Sequence, residues 1–415
     1  MVEFTGLAAR LLRRARVSRY PIHAEAMRPL PILACALFLA LAATAARAAD
    51  PDGKDALIRE LIDRIYTMEF DRAEQVGRRL AAVDPASPFG AFGLTAVAMT
   101  RFVYETEQAD LSLLPVFERN AEESIERATE WCRSHPDDAE GLMVLGASYG
   151  IAARISALRH NWITAYLQGR KAIRYTRASA HLDPSLGDPW LGIGMYDYYS
   201  DTYPRFVGAL AKLLLRGDRR RGIAGLRRAA QTGRYVNTAA KLLLVEVYTE
   251  DRYGERDPEE AVRIMADVRS TYPESLMLQA AELFALYESR RYDATLAGCD
   301  EFLGKAAQLP IAPIQTAKGR HIQGTTLWAM GRRKEAEGAL REGAESLLAG
   351  GPTMWGVWSR IRLARLLDLE GRRQEAQEQY RLAAALPDHW SLREVAKAGL
   401  SKPWTDPYPG HLSPF

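Results

Sequence analysis

After Asp50, apolar residues recur at three- and four-residue spacing along almost the whole chain, as in Leu57-Leu61-Ile65 and Leu242-Val245-Val247. That is the period of one face of an α-helix, and the Val/Ile/Thr-rich alternation of half-buried strands is sparse. Breaks fall at Asp-Pro and Gly-Arg dipeptides, residue types that end helices. The pattern predicts a procession of helices, each of about 12–18 residues, joined by short turns. The fold class is therefore all-α, and the next question is whether the helices repeat.

Several segments share one spacing. Leu142-x2-Leu145-Gly146-x2-Tyr149 places a small residue between large ones, and Trp190-x2-Ile193-Gly194 does so again, with Asp197 where a Tyr would fall. Ala376-x3-Tyr380-x2-Ala383 is preceded by the turn Gly371-Arg372-Arg373 and followed by Pro387; a sister turn, Gly331-Arg332-Arg333, precedes Ala336. Prolines that end helices stand in Asp84-Pro85, His135-Pro136, Asp183-Pro184 and Tyr272-Pro273. Small residues let two helices approach, large ones fill the seam, and proline stops the second helix.

These motifs resemble degenerate units of the tetratricopeptide-repeat (TPR) family. The resemblance covers about residues 55–390 and implies a right-handed superhelical array of antiparallel helix pairs, a TPR-like α-solenoid, within a repeat domain at 49–390. Ala336 to Ala376 is 40 residues, close to one unit, but Pro136 to Pro184 is 48 and Pro184 to Pro273 is 89. Against a 34-residue repeat these leave roughly 14 and 21 extra residues, the second set placed as an insertion around 200–220. The block from Asp188 to Ser200, with Tyr203-Pro204 and Gly217–Leu226, is similar to bacterial TPR proteins related to the inclusion-body-clearance and mitochondrial outer-membrane TPR group.

The family pattern also implies which positions of each first helix face the inner groove: Leu191, Met195 and Tyr198, with Tyr199 adjoining, then His321, Thr325 and Trp328, then Ile361, Arg365 and Asp368. Tyr198, Tyr199, His321, Trp328, Arg365 and Asp368 are the candidate partner-binding residues, because aromatic rings with polar tips and flanking charges anchor peptides well. The competing assignment for the tyrosines is the seam between helices, and for His321 and Trp328 a solvated helix face with one partly buried Trp. The implied function is a scaffold or adaptor that binds a protein or peptide in its concave groove.

The compartment is read from the leader. From Met27 an Arg precedes an apolar run from Leu30 to about Thr44, followed by Ala46-Arg47-Ala48. This is the layout of a secretory signal peptide, 27–48, cleaved near Ala48, and the run is short for a membrane span of roughly 20 residues. An Arg-rich stretch at 1–26 does not fit in front of such a leader, so Met27 is taken as the true start. The expected location is periplasmic or secreted. Removing the residues before Ala49 turns the formal charge of +3 into 48 basic against 50 acidic residues, so no nucleic-acid partner is expected.

Catalytic chemistry finds little footing. The seven histidines are scattered, no Gly-rich loop follows a strand, and no cofactor or metal is expected. Asp188, Asp197 and Asp201 near the Tyr cluster allow an alternative, an all-helical exported enzyme acting on polysaccharide. A structural part in an envelope assembly is a third reading. Arg205–Arg216 is apolar with basic ends, but its apolar residues cover nearly every face, which suits burial better than a membrane surface. Cys132 and Cys299 are read as two small hydrophobes or a disulfide. The segment at 391–415 is a helix end and a tail with four prolines after Lys402, which packs on or hangs from the last unit.

Overall fold

The computed structural model describes residues 53–413 except 109, 203–216, 251–253, 310–311, 349–350 and 389. The upstream stretch at 1–26, the leader at 27–48, and most of the insertion placed around 200–220, with the apolar segment 205–216, lie outside the described residues.

Among the described residues the chain forms seventeen α-helices, α1 Lys54–Tyr66, α2 Phe70–Val83, α3 Phe89–Tyr104, α4 Leu114–Ser134, α5 Ala139–Leu158, α6 Trp162–Leu182, α7 Pro189–Thr202, α8 Arg219–Thr232, α9 Asn237–Glu250, α10 Pro258–Thr271, α11 Leu276–Glu288, α12 Tyr292–Ala306, α13 Ala312–Ala329, α14 Arg333–Glu345, α15 Met354–Leu369, α16 Arg373–Ala385 and α17 Arg393–Ser401. Consecutive helices pack on one another from α1 to α17, the arrangement of a helix-pair solenoid. A two-residue antiparallel ladder, Leu347–Leu348 with Gly351–Pro352, closes the α14–α15 turn.

The repeat motifs do the packing their residue types suggest. In α16 the buried residues are Ala376, Tyr380 and Ala383, the three positions of the second-helix motif. Gly194 of α7 lies against Gly222 of α8 so closely that a Cβ on Gly194 would stand 2.8 Å from the Gly222 carbonyl oxygen. Alanine at either position would push the two backbones apart.

The extra residues between Pro136 and Pro184 lie in the helices themselves. Helices α5 and α6 run to 20 and 21 residues, longer than the periodicity predicts. Helix α5 is also long and apolar enough to cross a membrane; half of that apolar stretch is buried, and α5 packs between α4 and α6. Cys132 and Cys299 are both free thiols, so the disulfide alternative falls away.

The array curls until its first pair meets later ones. The Tyr272 hydroxyl donates to Asp63 Oδ1 at 2.8 Å, the Tyr66 and Tyr272 rings lie 5.2 Å apart, and Ser275 donates to the Tyr66 carbonyl at 2.6 Å. Tyr235 likewise donates to Asp55 at 2.8 Å. The loop holding Tyr235 is fixed by buried Asp188, which accepts the backbone N–H groups of Arg234, Tyr235 and Val236 at 2.9, 2.6 and 3.0 Å. Burial raises the Asp188 pKa, and those three N–H groups oppose the rise. Asp188→Ala should cost about 3 kcal/mol, because buried N–H groups lose their acceptor. Urea denaturation measures this, and a loss under about 0.5 kcal/mol would mean that the loop finds other acceptors.

Candidate peptide-binding groove

Helices α11, α13 and α15, the first helices of three successive pairs, present side chains to one extended segment, the chain's own tail. After α17 the tail turns back through Trp404, Pro407 and Gly410 to Leu412, so it reaches inward over three units and is not confined to the last one. Its entry is fixed at Asp368, whose Oδ2 accepts the Trp404 N–H at 2.8 Å. The same carboxylate pairs with Arg373 at 2.9 Å and accepts the Tyr380 hydroxyl. The Arg365 guanidinium stacks between the Trp404 and Trp358 rings, 4.0 and 5.0 Å from their centroids.

Further in, side chains donate to tail carbonyls in succession. The Trp328 Nε1–H donates to Pro407 O at 2.9 Å, the Tyr287 hydroxyl to Gly410 O at 2.7 Å, Arg362 Nη2 to His411 O, and the Trp358 Nε1–H to Leu412 O at 3.1 Å. His321 Nε2 lies 3.2 Å from the same Leu412 carbonyl. Burial and the Arg362 charge lower the His321 pKa well below its usual value, so the ring is neutral. A carbonyl only accepts, so Nε2 carries the hydrogen and Nδ1 is the acceptor, facing Ser359 Oγ at 3.4 Å.

Glu288 reads the other side of the strand. Its Oε1 accepts the Leu412 N–H at 3.2 Å, and its Oε2 meets His411 Nδ1 and Arg256 Nη2, each at 2.8 Å. The Leu412 side chain is completely buried and belongs to the core cluster of Leu283, Tyr287, Cys299, Phe302 and Ile322. The chemistry is complementary: prolines 403, 407 and 409 have no N–H, so the tail offers mainly carbonyls, and the groove supplies mainly donors.

Of the candidate residues, the structure brings His321, Trp328, Arg365 and Asp368 together around the tail. Thr325 is buried between them, and Ile361 is turned into the core. Tyr198 and Tyr199 are elsewhere, in the core that runs through the first eleven helices. Tyr198 is buried in that core, edge-on to the Tyr199 ring at 5.2 Å, and the Tyr199 hydroxyl donates to Glu246 at 2.6 Å. The groove assignment of these two is therefore corrected to seam packing. The family register misses Tyr287, Glu288, Trp358 and Arg362. Trp358, Arg362 and Arg365 do stand at helical spacing, a polar and aromatic stripe visible in the sequence.

The acids considered for sugar cleavage have structural partners. Asp197 is completely buried and receives Arg177 at 3.2 Å and Arg221 at 2.5 Å, Asp201 accepts the Arg219 backbone N–H at 3.3 Å, and Asp188 holds its loop. Among the described residues no group of three His, Cys, Asp or Glu side chains is placed to hold a metal ion.

Trp328→Phe keeps the ring and deletes the donor to Pro407. It should weaken tail attachment by about 1 kcal/mol, seen as faster amide exchange at Tyr408 and Gly410 with unchanged exchange in α13. Equal exchange at Tyr408 and Gly410 in both proteins would mean that this bond contributes nothing.

No family model matches the chain, and no curated protein matches it. Solved structures similar to it include NprR in complex with its cognate peptide NprX (TM-score 0.42, 10% identity, 86% of this chain and 83% of that one). Yeast Tom70 gives a TM-score of 0.38 at 11% identity, covering 83% of this chain and 89% of that one, and Naa15/Naa10 bound to HypK gives 0.27 at 12% identity, covering 85% and 73%.

Proposed function

We propose that this protein is a helical-repeat scaffold whose groove on α11, α13 and α15 holds an extended segment of a protein or peptide partner. One observation carries the reading: five side chains from three helices converge on the carbonyls of Pro407, Gly410, His411 and Leu412 in the proline-rich tail, and a leucine fills the pocket at its end. Contacts to main-chain carbonyls give affinity without demanding a particular sequence, and the leucine pocket and Glu288 add selectivity. The scaffold works outside the cytoplasm, periplasmic or secreted, once the leader is removed near Ala48.

The groove is tested on the full chain with a protease site inserted between Lys402 and Pro403. After cleavage of the folded protein, a labelled peptide of residues 403–415 should exchange with the bound tail, followed by fluorescence polarisation. A cut protein that stays folded and never exchanges its tail would sink the reading, because the tail would then be a fixed part of the core. Export is checked separately, by the N-terminal residue of the protein recovered from the envelope fraction. A mature chain that still begins at Met1 or Met27 would overturn it.

A further inference from the structure

The tail satisfies its groove incompletely at one place. Arg362 is almost wholly buried, yet two of its guanidinium nitrogens, Nε and Nη1, have no hydrogen-bond partner among the described residues. The third, Nη2, donates to His411 O, and the guanidinium lies 4.8 Å from the Trp358 ring centroid. Burial pushes the Arg362 pKa down to about 9, with the Arg365 charge adding to the effect and Tyr287, Glu288 and Tyr408 opposing it. The neighbouring carboxylates are committed elsewhere: Glu288 to His411, the Leu412 N–H and Arg256, and Asp368 to Arg373, Tyr380 and Trp404. A buried guanidinium with free donors is costly unless an anion meets it.

The tail residue that faces Arg362 is Gly410. A Cβ built there would lie 3.9 Å from Arg362 Nη1, with no other heavy atom within 4 Å apart from those of its chain neighbours. A carboxyl group one bond further out would reach hydrogen-bond distance of that nitrogen, and guanidinium–carboxylate pairs are among the strongest contacts a buried arginine makes. Gly410 has φ +82, a conformation that asparagine and aspartate tolerate better than other side chains.

We infer that Arg362 is a carboxylate-binding site that the described tail residues meet only through the His411 carbonyl, and that the partner segment displacing the tail presents an acidic side chain at the position of Gly410. The inference rests on the groove reading above. It gives the partner a chemistry: an extended, proline-broken strand with an acidic residue two positions before a buried leucine. The tail is then a weaker internal copy of that segment. It keeps the groove covered until a better-paired strand arrives.

The experiment uses the cut full-length protein and two competitor peptides of residues 403–415, one with Gly410→Asp and one with Gly410→Asn. The pair shares backbone preference and size and differs in charge. The Asp peptide should displace the labelled tail at a concentration at least about tenfold lower than the Asn peptide, the size expected of a charged hydrogen bond. Arg362→Gln should abolish the difference, with circular dichroism confirming that the variant folds. The same comparison within the intact chain needs no groove variant: Gly410→Asp should melt higher than Gly410→Asn. Equal competition and equal melting would overturn the carboxylate site and leave the groove reading standing. A tail that never exchanges fails the groove reading itself.

Discussion

Replacing Leu412 with Asp should free the tail and leave the helices folded. The leucine side chain is completely enclosed between α11, α12 and α13. Losing a buried leucine costs about 2–5 kcal/mol, and a carboxylate in that pocket adds its own desolvation. The remaining attachment is a series of single hydrogen bonds, each contributing about 1 kcal/mol. Release of the strand is therefore the cheaper response, since the helix pairs are held by their own seams. Amides from Tyr408 to Ser413 should lose protection from exchange, and tryptophan emission should shift to the red as Trp328, Trp358 and Trp404 meet water. Helical circular dichroism should change little. The variant should also bind the 403–415 peptide without any cut. Loss of the helical signal together with the tail would contradict this, and would make Leu412 a keystone of the C-terminal units.

The tail's position explains what the sequence could and could not disclose. Helix existence follows from local period, so the all-α array is legible from Leu57 onward. The seam residues follow too, because Ala376, Tyr380 and Ala383 are small and large at the spacing a helix pair needs. Whether an aromatic ring faces seam or groove depends on the rotation of its helix against two neighbours. Tyr198 and Trp328 occupy the same position in the family pattern. The Tyr198 ring is buried in the main core, edge-on to Tyr199, whereas the Trp328 indole turns its N–H to the tail. Nothing local to either residue separates the two cases.

Contacts between distant segments are less legible still. The prolines after Lys402 exclude a helix, but they do not say that Leu412 returns to α11, more than a hundred residues earlier. Arg362 in the sequence is one arginine among many, and its burial beneath a glycine of the tail emerges only when α15 and the tail are assembled. The same holds for Asp188, which stands just before α7 and also ties down the loop before α9.

Glu107 is the strongest case of such a contact, and its loss should be the most damaging single change to stability. It stands in the loop after α3 and reaches the start of α15, where its Oε2 accepts the Met354 N–H; the Trp390 Nε1–H donates to its carbonyl at 2.6 Å. Lys318 of α13 is buried nearby, with Gln315 Oε1 at 3.5 Å. Burial raises the Glu107 pKa to about 7, opposed by Lys318 and by the N–H groups of Met354 and Trp355. Glu107→Ala leaves the Thr353 cap of α15 in place but removes the acceptor of the Met354 N–H and the carboxyl facing buried Lys318, a change that costs about 3–5 kcal/mol in buried pairs. Glu107→Gln keeps an acceptor and should cost less, and adding Lys318→Met to it should restore much of the loss. The pH dependence has a definite sign. A carboxyl whose folded pKa exceeds its ordinary value of 4.5 holds its proton more tightly when folded, so its contribution to stability is complete below that value and is lost as pH rises to about 7. Urea midpoints of the wild type should therefore fall more between pH 5 and pH 7.5 than those of Glu107→Gln. Parallel slopes in the two proteins would show that Glu107 is charged throughout, held by Lys318 as a full ion pair.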